Sequence, residues 1–183
     1  MKKYMRVMYG TKSHAGGFEY KIDEVNIADN WNPKADNPED FGGFNFSTEE
    51  KILRWILRGD TLYDVEIPDD TEVIECENKN CPHGVFRSNK IILRNPRKLD
   101  SDLVMDLYLK SDLPDNTYFQ CLTFLSLRNY DEVCRKIIED KVNENNVDQA
   151  IETFTTFFEV SEEDKNQCYK NALDLLIEIK KYR

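Results

Sequence analysis

The spacing of apolar residues changes near Pro96, and this change divides the chain into two regions. Before Pro96, apolar and polar residues alternate in short runs separated by Gly, Pro, Asn and Asp, which is typical of half-buried strands joined by turns. The pattern predicts strands at residues 5–9, 18–22, 43–46, 61–67, 72–76 and 85–93. Between the third and fourth of these, Ser47 or Thr48 can cap a helix over residues 49–57, and Gly59 follows its end.

After Pro96 the apolar residues recur with the period of an α-helix. Five short helices are predicted, marked by Leu103 and Leu107, by residues 118–127, by Val133 and Ile137, by residues 147–159, and by a capping box of Ser161 with Asp164. The predicted fold class is therefore α+β, with a strand-rich domain at residues 1–98 and a helical bundle at residues 99–183.

Acidic residues are concentrated in the helical region. The 183-residue chain has a formal net charge of −10; residues 1–98 hold 15 Lys/Arg against 17 Asp/Glu, whereas residues 99–183 hold 10 against 18. An acidic helical surface favours association with a basic protein partner over nucleic acid. The candidate partner-binding residues are the aspartates that open this region: Asp100, Asp102, Asp106, Asp112 and Asp115.

One short segment has the opposite charge. The sequence FRSNKIILRNPRK contains no acidic residue, and its basic residues are Arg87, Lys90, Arg94, Arg97 and Lys98. Because Lys90 and Arg94 share one face of a strand, the segment could contact phosphate groups, and a nucleotide- or RNA-binding module is one alternative function. The other interpretation is an edge strand that its Lys and Arg residues protect from pairing with other chains.

The cysteines and histidines indicate the compartment and possible ligands. Five scattered cysteines form no even-numbered disulfide framework, and MKKYMRVMYG lacks the apolar segment of a signal peptide, so a cytoplasmic protein without membrane spans is expected. Cys76, Cys81 and His83 lie close together, but a structural zinc site needs four ligands, so we expect a polar turn and no metal. His14, in the glycine-flanked loop TKSHAGG, is either a ligand contact or a turn residue.

Three segments of the first region resemble known proteins. MYGTKSHAGGFEYKI, GGFNFSTEEKILRWILRGDTLYDVEIPDD and VFRSNKIIL follow one another in an order that resembles a group of uncharacterised proteins and modules from large DNA viruses, phages and bacteria. The same region, roughly residues 5–96, is similar to the core of ADP-ribosyltransferases. The resemblance implies a split mixed or antiparallel sheet that binds NAD in the cleft between its halves.

The resemblance also implies the side chains that would act. At the positions of the His, Tyr and Glu that one class of that superfamily uses, this chain has Tyr9, Asn45 and Lys90. A lysine ammonium beside the positive charge that develops on the anomeric carbon would destabilise the transition state, so these residues, with His14, are candidate ligand contacts without catalysis. A second class uses an Arg, a Ser-rich run and a Glu-x-Glu loop.

Residues that could fill the roles of this second class are present. They are Arg6, Ser47, Glu75 and Glu77, which would be catalytic in an active NAD-dependent ADP-ribosyltransferase. The favoured expectation is instead a non-catalytic macromolecule-binding protein of phage or mobile-element type that needs no cofactor. An example is an inhibitor of a nucleic-acid-guided defence effector such as a CRISPR nuclease.

Overall fold

The computed structural model describes residues 2–13, 17–76 and 84–182. Over these residues the protein is α+β, with seven strands in one antiparallel sheet, five α-helices and two 3-10 helices. The chain divides into two compact units, Met1–Leu99 and Asp100–Arg183. All the strands belong to the first unit, the sheet unit, and all five α-helices belong to the second, the helical unit.

Short strands form the sheet of the first unit. They are β1 (Tyr4–Met8), β2 (Val25–Ile27), β3 (Phe44–Thr48), β4 (Thr61–Glu66), β5 (Val73–Glu75), β6 (Phe86–Ser88) and β7 (Lys90–Lys98). Their order across the sheet is β2-β7-β4-β1-β3-β6-β5, and every pair is antiparallel. β1 therefore lies at the centre, between β4 and β3.

Two strand predictions differ from the structure. Residues 18–22 form no strand; Glu19 and Ile22 make isolated bridges to Lys12 and Leu93. The strand in this part of the chain is β2, whose Val25 and Ile27 are exposed while the intervening Asn26 is buried, so the usual apolar-in pattern is reversed. The Asn26 side chain replaces missing backbone pairing by hydrogen bonding the amide and carbonyl of Lys21, both at 2.8 Å.

The predicted strand at residues 85–93 is two strands. The ladder is interrupted at Asn89, which separates β6 from β7, and β7 continues through Pro96 to Lys98. Proline is tolerated there because Pro96 lies where the register of β7 with β4 shifts, between the pairs Leu62–Arg97 and Asp64–Arg94, and has no register partner among the described residues.

The segment after β3 forms a 3-10 helix at Ile52–Arg58 instead of the predicted α-helix. Ser47 and Thr48 do not cap this helix, because they are the last residues of β3. Gly59 follows the helix with an extended backbone, φ −179°, so it is not a left-handed cap. Glycine is needed there for space, because an added Cβ would lie 2.1 Å from the carbonyl carbon of Met8.

An aromatic cluster fills the core on one face of the sheet. Phe18 packs against Tyr20 and Phe44 with ring centres 4.9 and 5.0 Å apart, and Tyr4 packs against Phe46 at 4.9 Å. Edge-to-face contacts of this kind add to the stabilisation from apolar burial.

The second unit is a bundle of short helices. They are α1 (Ser101–Leu109), α2 (Asp115–Leu127), α3 (Asp131–Lys141), α4 (Val147–Thr156) and α5 (Gln167–Lys181). α2 packs against α3, α4 and α5. Its core is almost wholly apolar, and the largest fully buried side chains include Tyr118, Phe119, Phe154 and Tyr169.

The last helix starts later than the capping box predicted. Ser161 and Asp164 do bond reciprocally, with the Ser161 hydroxyl donating to the Asp164 carboxylate at 2.7 Å, but they close an isolated turn. Asn166 caps α5, accepting from the Tyr169 amide at 2.8 Å. The same Asn166 side chain donates to the carbonyls of Ser126 and Leu127 at 3.0 Å. It therefore attaches the start of α5 to the end of α2.

Four cysteines, Cys76, Cys121, Cys134 and Cys168, are buried. Cys81 and His83 lie outside the described residues, as do His14 and Glu77. Within the part of the chain that the structure describes, no helix has the length and apolar character needed to cross a membrane.

Candidate functional site

A cavity lies where the central strand β1 separates from β3. β1 pairs with β4 along its whole length, from Tyr4 to Met8, but its register with β3 covers Tyr4 and Met5 alone among the described residues. A cavity of about 190 Å³ is lined by the residues of both strands at this opening. The lining residues are Met5, Arg6, Val7, Met8, Ser13, Asn45, Phe46, Ser47, Ile52, Trp55, Arg58 and Val85.

Arg6 crosses the opening between the two strands. Its Nη1 donates to the Asn45 backbone carbonyl and, at 2.5 Å, to the Asn45 side-chain Oδ1. The guanidinium carbon lies 5.0 Å from the centre of the Tyr20 ring. Its Nε atom is buried and has no hydrogen-bond partner in the described part of the chain. Removal from water lowers the pKa of the Arg6 guanidinium.

Two hydroxyl groups in this region are engaged in hydrogen bonds. Ser47 is 1% exposed, and its hydroxyl donates to the Gly84 carbonyl at 2.5 Å. The Ser13 side chain hydrogen-bonds Tyr20. Burial raises the pKa of the Tyr20 phenol, and the nearby Arg6 charge and the Ser13 bond act in the opposite direction. The Ser47 hydroxyl thus holds the Gly84 backbone, which is a structural role.

The 3-10 helix supplies one wall of the cavity. Ile52, Trp55 and Arg58 all line it. In a 3-10 helix residues three apart eclipse one another, so this row lies along one side. The α-helical period does not predict this row, because in an α-helix Arg58 does not follow Ile52 and Trp55 on one face. An Ile-x-x-Trp-x-x-Arg spacing directly after a strand was the available signal.

Three of the predicted ligand or catalytic residues lie outside the cavity. Tyr9 follows the end of β1 and is 50% exposed. Glu75 is the exposed last residue of β5, at the edge of the sheet. Lys90 lies on β7 and donates to Asp70 at 2.7 Å, which lowers the pKa of that carboxyl. The structure therefore brings together Arg6 and Asn45 with Ser47, and separates them from these residues.

His14 and Glu77, the remaining predicted site residues of this unit, lie outside the described residues. Among the described residues that line the cavity there is no carboxylate. The lining seen here thus fits an anionic group but does not supply the glutamate that the ADP-ribosyltransferase resemblance requires for transfer.

Most cations of the basic segment are engaged within the sheet unit. Arg94 bonds Glu66 at 2.9 Å and Asp23 at 3.1 Å, and Arg97 pairs with Asp64.

For the two remaining cations of the segment, no ion pair is seen among the described residues. Arg87 donates to the Gly42 carbonyl at 3.0 Å, and Lys98 is exposed. β7 is not an edge strand where β2 covers it, at residues 90–92.

The predicted acidic surface lies on α1 and the start of α2. Asp100 caps α1 by accepting from the Leu103 amide at 2.9 Å, and Asp106 pairs with Lys110 at 2.8 Å. Asp102, Asp112 and Asp115 are exposed. The five aspartates therefore include one with a capping role and one in an ion pair.

The helical unit also pairs many of its cations internally. Arg135 lies 3.1 Å from Asp131, and Lys136 lies 2.7 Å from Asp140. Further ion pairs join Lys165 to Glu162 and Lys180 to Asp148, at 2.5 and 2.6 Å.

Comparison of the chain with models of protein families, with curated proteins and with solved structures gives no match. Within the described ranges no cluster of His, Cys, Asp and Glu could hold a metal ion. Function must therefore be inferred from the geometry and charges of the cavity in the sheet unit and of the acidic surface in the helical unit.

Proposed function

We propose that the protein is a non-catalytic macromolecule-binding protein whose acidic helical unit docks on a basic partner. The observation that carries this proposal is the charge distribution of that unit. Five of its basic side chains are already held in ion pairs with its own acids. Acids outnumber bases by 18 to 10 in residues 99–183, so the surplus is negative and faces solvent.

A basic groove that normally holds nucleic acid is the partner surface with the matching chemistry. Carboxylates on short helices can occupy positions that phosphates would take, and charge complementarity mainly accelerates association and fixes orientation. On this basis, and with the resemblance to phage and viral proteins, the proposed role is that of a phage or mobile-element accessory protein. The specific role proposed is inhibition of a nucleic-acid-guided defence effector, in the manner of an anti-CRISPR protein.

The sheet unit supports a non-catalytic role. Asn45 stands where the resemblance requires a tyrosine, the Ser47 hydroxyl is committed to the Gly84 carbonyl, and Glu75 lies away from the cavity. A transferase needs its carboxylate beside the reacting sugar, because that group must act on the developing charge at hydrogen-bond distance.

The test is DNA binding by a purified RNA-guided nuclease in the presence of the full chain. We expect the protein to reduce DNA binding, and the double variant Asp102→Lys/Asp115→Lys to lose most of this inhibition. Glu72→Lys, an exposed residue of the sheet unit, makes the same kind of charge change outside the helices and is the control. Inhibition that survives the double variant, or no inhibition of a panel of such nucleases, would overturn the proposal.

An active NAD-dependent ADP-ribosyltransferase is the second candidate. The observation in its favour is that Arg6, Asn45 and Ser47 line one cavity where the sheet splits. Incubation of the chain with labelled NAD and a cell lysate tests it. Transfer of label that is lost in Glu75→Gln or Glu77→Gln would establish the enzyme and contradict the non-catalytic proposal.

A further inference from the structure

Arg6 is a half-buried cation of the sheet unit whose Nε atom is removed from water, and no acid pairs with it among the described residues. Its hydrogen bonds go to neutral oxygens of Asn45, its Nε has no partner, and none of the ion pairs in the described part of the chain includes it. By contrast, Arg94 and Arg97 each meet a carboxylate of a neighbouring strand or loop. A partly desolvated charge without a counter-charge is unfavourable, so binding of an anion beside Arg6 would be favoured.

The cavity beside Arg6 has the form of a small ligand site. Arg58 is a second arginine in its lining, and Trp55 lies between that residue and Ile52 on the same side of the 3-10 helix. The remaining lining is mainly apolar, with a few polar groups such as Ser13. Apolar walls with a few convergent polar groups are typical of small-molecule sites.

The size of the cavity limits the ligand. Its volume of about 190 Å³ is below the range of about 300–1,000 Å³ that is usual for drug-sized ligands. It can therefore enclose an anionic head group with a small ring or short chain, but not an entire dinucleotide.

We propose that this cavity binds a small ligand bearing a carboxylate or phosphate group, with the anion held by Arg6 and Arg58 and the apolar part against Trp55. No covalent step is involved. The proposal is independent of partner docking, because the cavity belongs to the sheet unit and the acidic surface to the helical unit.

A purely structural role for Arg6 makes a different prediction. Through Asn45, Arg6 bridges β1 to β3 where their ladder is open, so it could serve only as a clamp between strands. If Arg6 were only a clamp, it would affect the stability of the protein and would bind no ligand. A ligand site would make that stability depend on an added anion, since a ligand that binds the folded state raises the unfolding temperature.

The experiment titrates the full chain with benzoate, phenyl phosphate and benzamide at equal ionic strength, and follows tryptophan fluorescence and the midpoint of thermal unfolding. Benzamide has nearly the shape of benzoate but no charge. We expect a saturable rise in the midpoint with benzoate or phenyl phosphate, and affinity for benzamide at least about tenfold weaker, because hydrogen bonds to a charged group are worth about 1.5–3 kcal/mol. The stronger of the two anions identifies carboxylate or phosphate as the natural group.

Variants separate the cavity from general charge effects. Arg6→Gln should weaken anion binding by about tenfold or more, while Lys98→Gln, which removes an exposed cation outside the cavity, should leave it unchanged. If Arg6→Gln does not fold, Arg58→Gln takes its place, because Arg58 is exposed and should weaken binding without lowering the midpoint of the free protein.

Three results would overturn the proposal: no saturable response to either anion, equal binding of benzamide, or unchanged affinity in the foldable arginine variant. Inhibition of a nuclease by the same preparation would be unaffected by these results, so failure here is distinguishable from failure of the partner proposal.

Discussion

The sheet unit and the helical unit place their polar groups in opposite ways. In the sheet unit, polar side chains such as Asn26, Ser47 and Ser88 are buried, and Arg6 lies beside a cavity. In the helical unit the core is mainly apolar, although Thr123 and Ser126 are buried in it, and the charged groups stand at the surface, where several pair within one helix. The formal charge of −10 therefore gives no sign of the two arginines, Arg6 and Arg58, that line the cavity, and the position of charges indicates more about function than their sum.

The two units differ in how much their polar side chains contribute to folding. Polar groups inside the sheet unit hold backbone that strand pairing leaves unsatisfied, so they are part of its fold. Surface carboxylates of the helical unit contribute little to folding, because exposed ion pairs are worth about 0–1 kcal/mol. Those carboxylates are consequently available for binding a partner.

The largest effect should come from the apolar core of the helical unit. Phe154 is fully buried, and its ring centre lies 4.5 Å from that of Tyr169. Phe154→Ala should lower the free energy of unfolding by about 3–5 kcal/mol, from lost burial and the cavity left behind. Phe158→Ala is the matched control, because Phe158 is 37% exposed. Equal losses of unfolding free energy in the two variants, measured by chemical denaturation, would contradict the comparison.

Close backbone packing should give the next largest effect, in the sheet unit. Gly59→Ala would place a methyl group 2.1 Å from the Met8 carbonyl carbon and should cost about 1–3 kcal/mol or more, because the strand must shift. In Gly10→Ala the added methyl group has no other atom within 4 Å, so the loss of stability comes only from the left-handed backbone, φ 52°. A smaller loss for Gly59→Ala than for Gly10→Ala, measured by urea unfolding, would contradict this account.

A single polar bond of the helical unit should matter less. The Tyr108 hydroxyl donates to the Asp140 carboxylate at 2.9 Å, and burial together with that carboxylate raises the pKa of Tyr108. Tyr108→Phe should reduce the free energy of unfolding by about 1 kcal/mol. Tyr182→Phe, at a side chain that is 79% exposed, should change nothing measurable in the same assay. A loss as large as that of Phe154→Ala would show that polar contacts dominate this unit.

The smallest effect should be the dependence of helical-unit stability on acid. A hydrogen bond from Asn171, followed by Arg135, holds the pKa of Asp131 below its ordinary value of 3.8. A carboxyl whose pKa is lower when folded stabilises above its unfolded pKa and loses this contribution as pH falls through the folded pKa. Stability should therefore fall by a few tenths of a kcal/mol below about pH 4.

Asp131→Asn tests this pH dependence directly. The variant cannot ionise at this position, so its unfolding free energy should vary less over the acidic range than that of the native chain. An unchanged slope of stability against pH would mean that Asp131 contributes nothing to it.

The general architecture was predictable because the apolar period changes from alternation to a helical repeat near Pro96. The kind of helix at Ile52–Arg58 was not, since a seven-residue segment offers too few turns to distinguish the two periods. β2 was missed because tertiary burial of Asn26 reverses its pattern.

The candidate site was predictable only in part. Arg6, Asn45 and Ser47 were named from motifs and do line one cavity, whereas the place of Glu75 and Lys90 depends on strand order, which local sequence does not reveal. Trp55 and Arg58 enter the site through the 3-10 helix. The pairing of Arg94 and Arg97 with acids on other segments also required the register of β7 with β4.

The salt dependence of binding to a purified RNA-guided nuclease is the most direct measurement of the central claim, that surface carboxylates of the helical unit bind a basic partner. Affinity of the native chain should fall steeply between about 0.05 and about 0.3 M salt, because screening weakens contacts between exposed charges. Asp102→Lys/Asp115→Lys should bind more weakly and with a shallower slope, and Glu72→Lys should match the native chain. Binding that is insensitive to salt and equal in all three proteins would contradict the account.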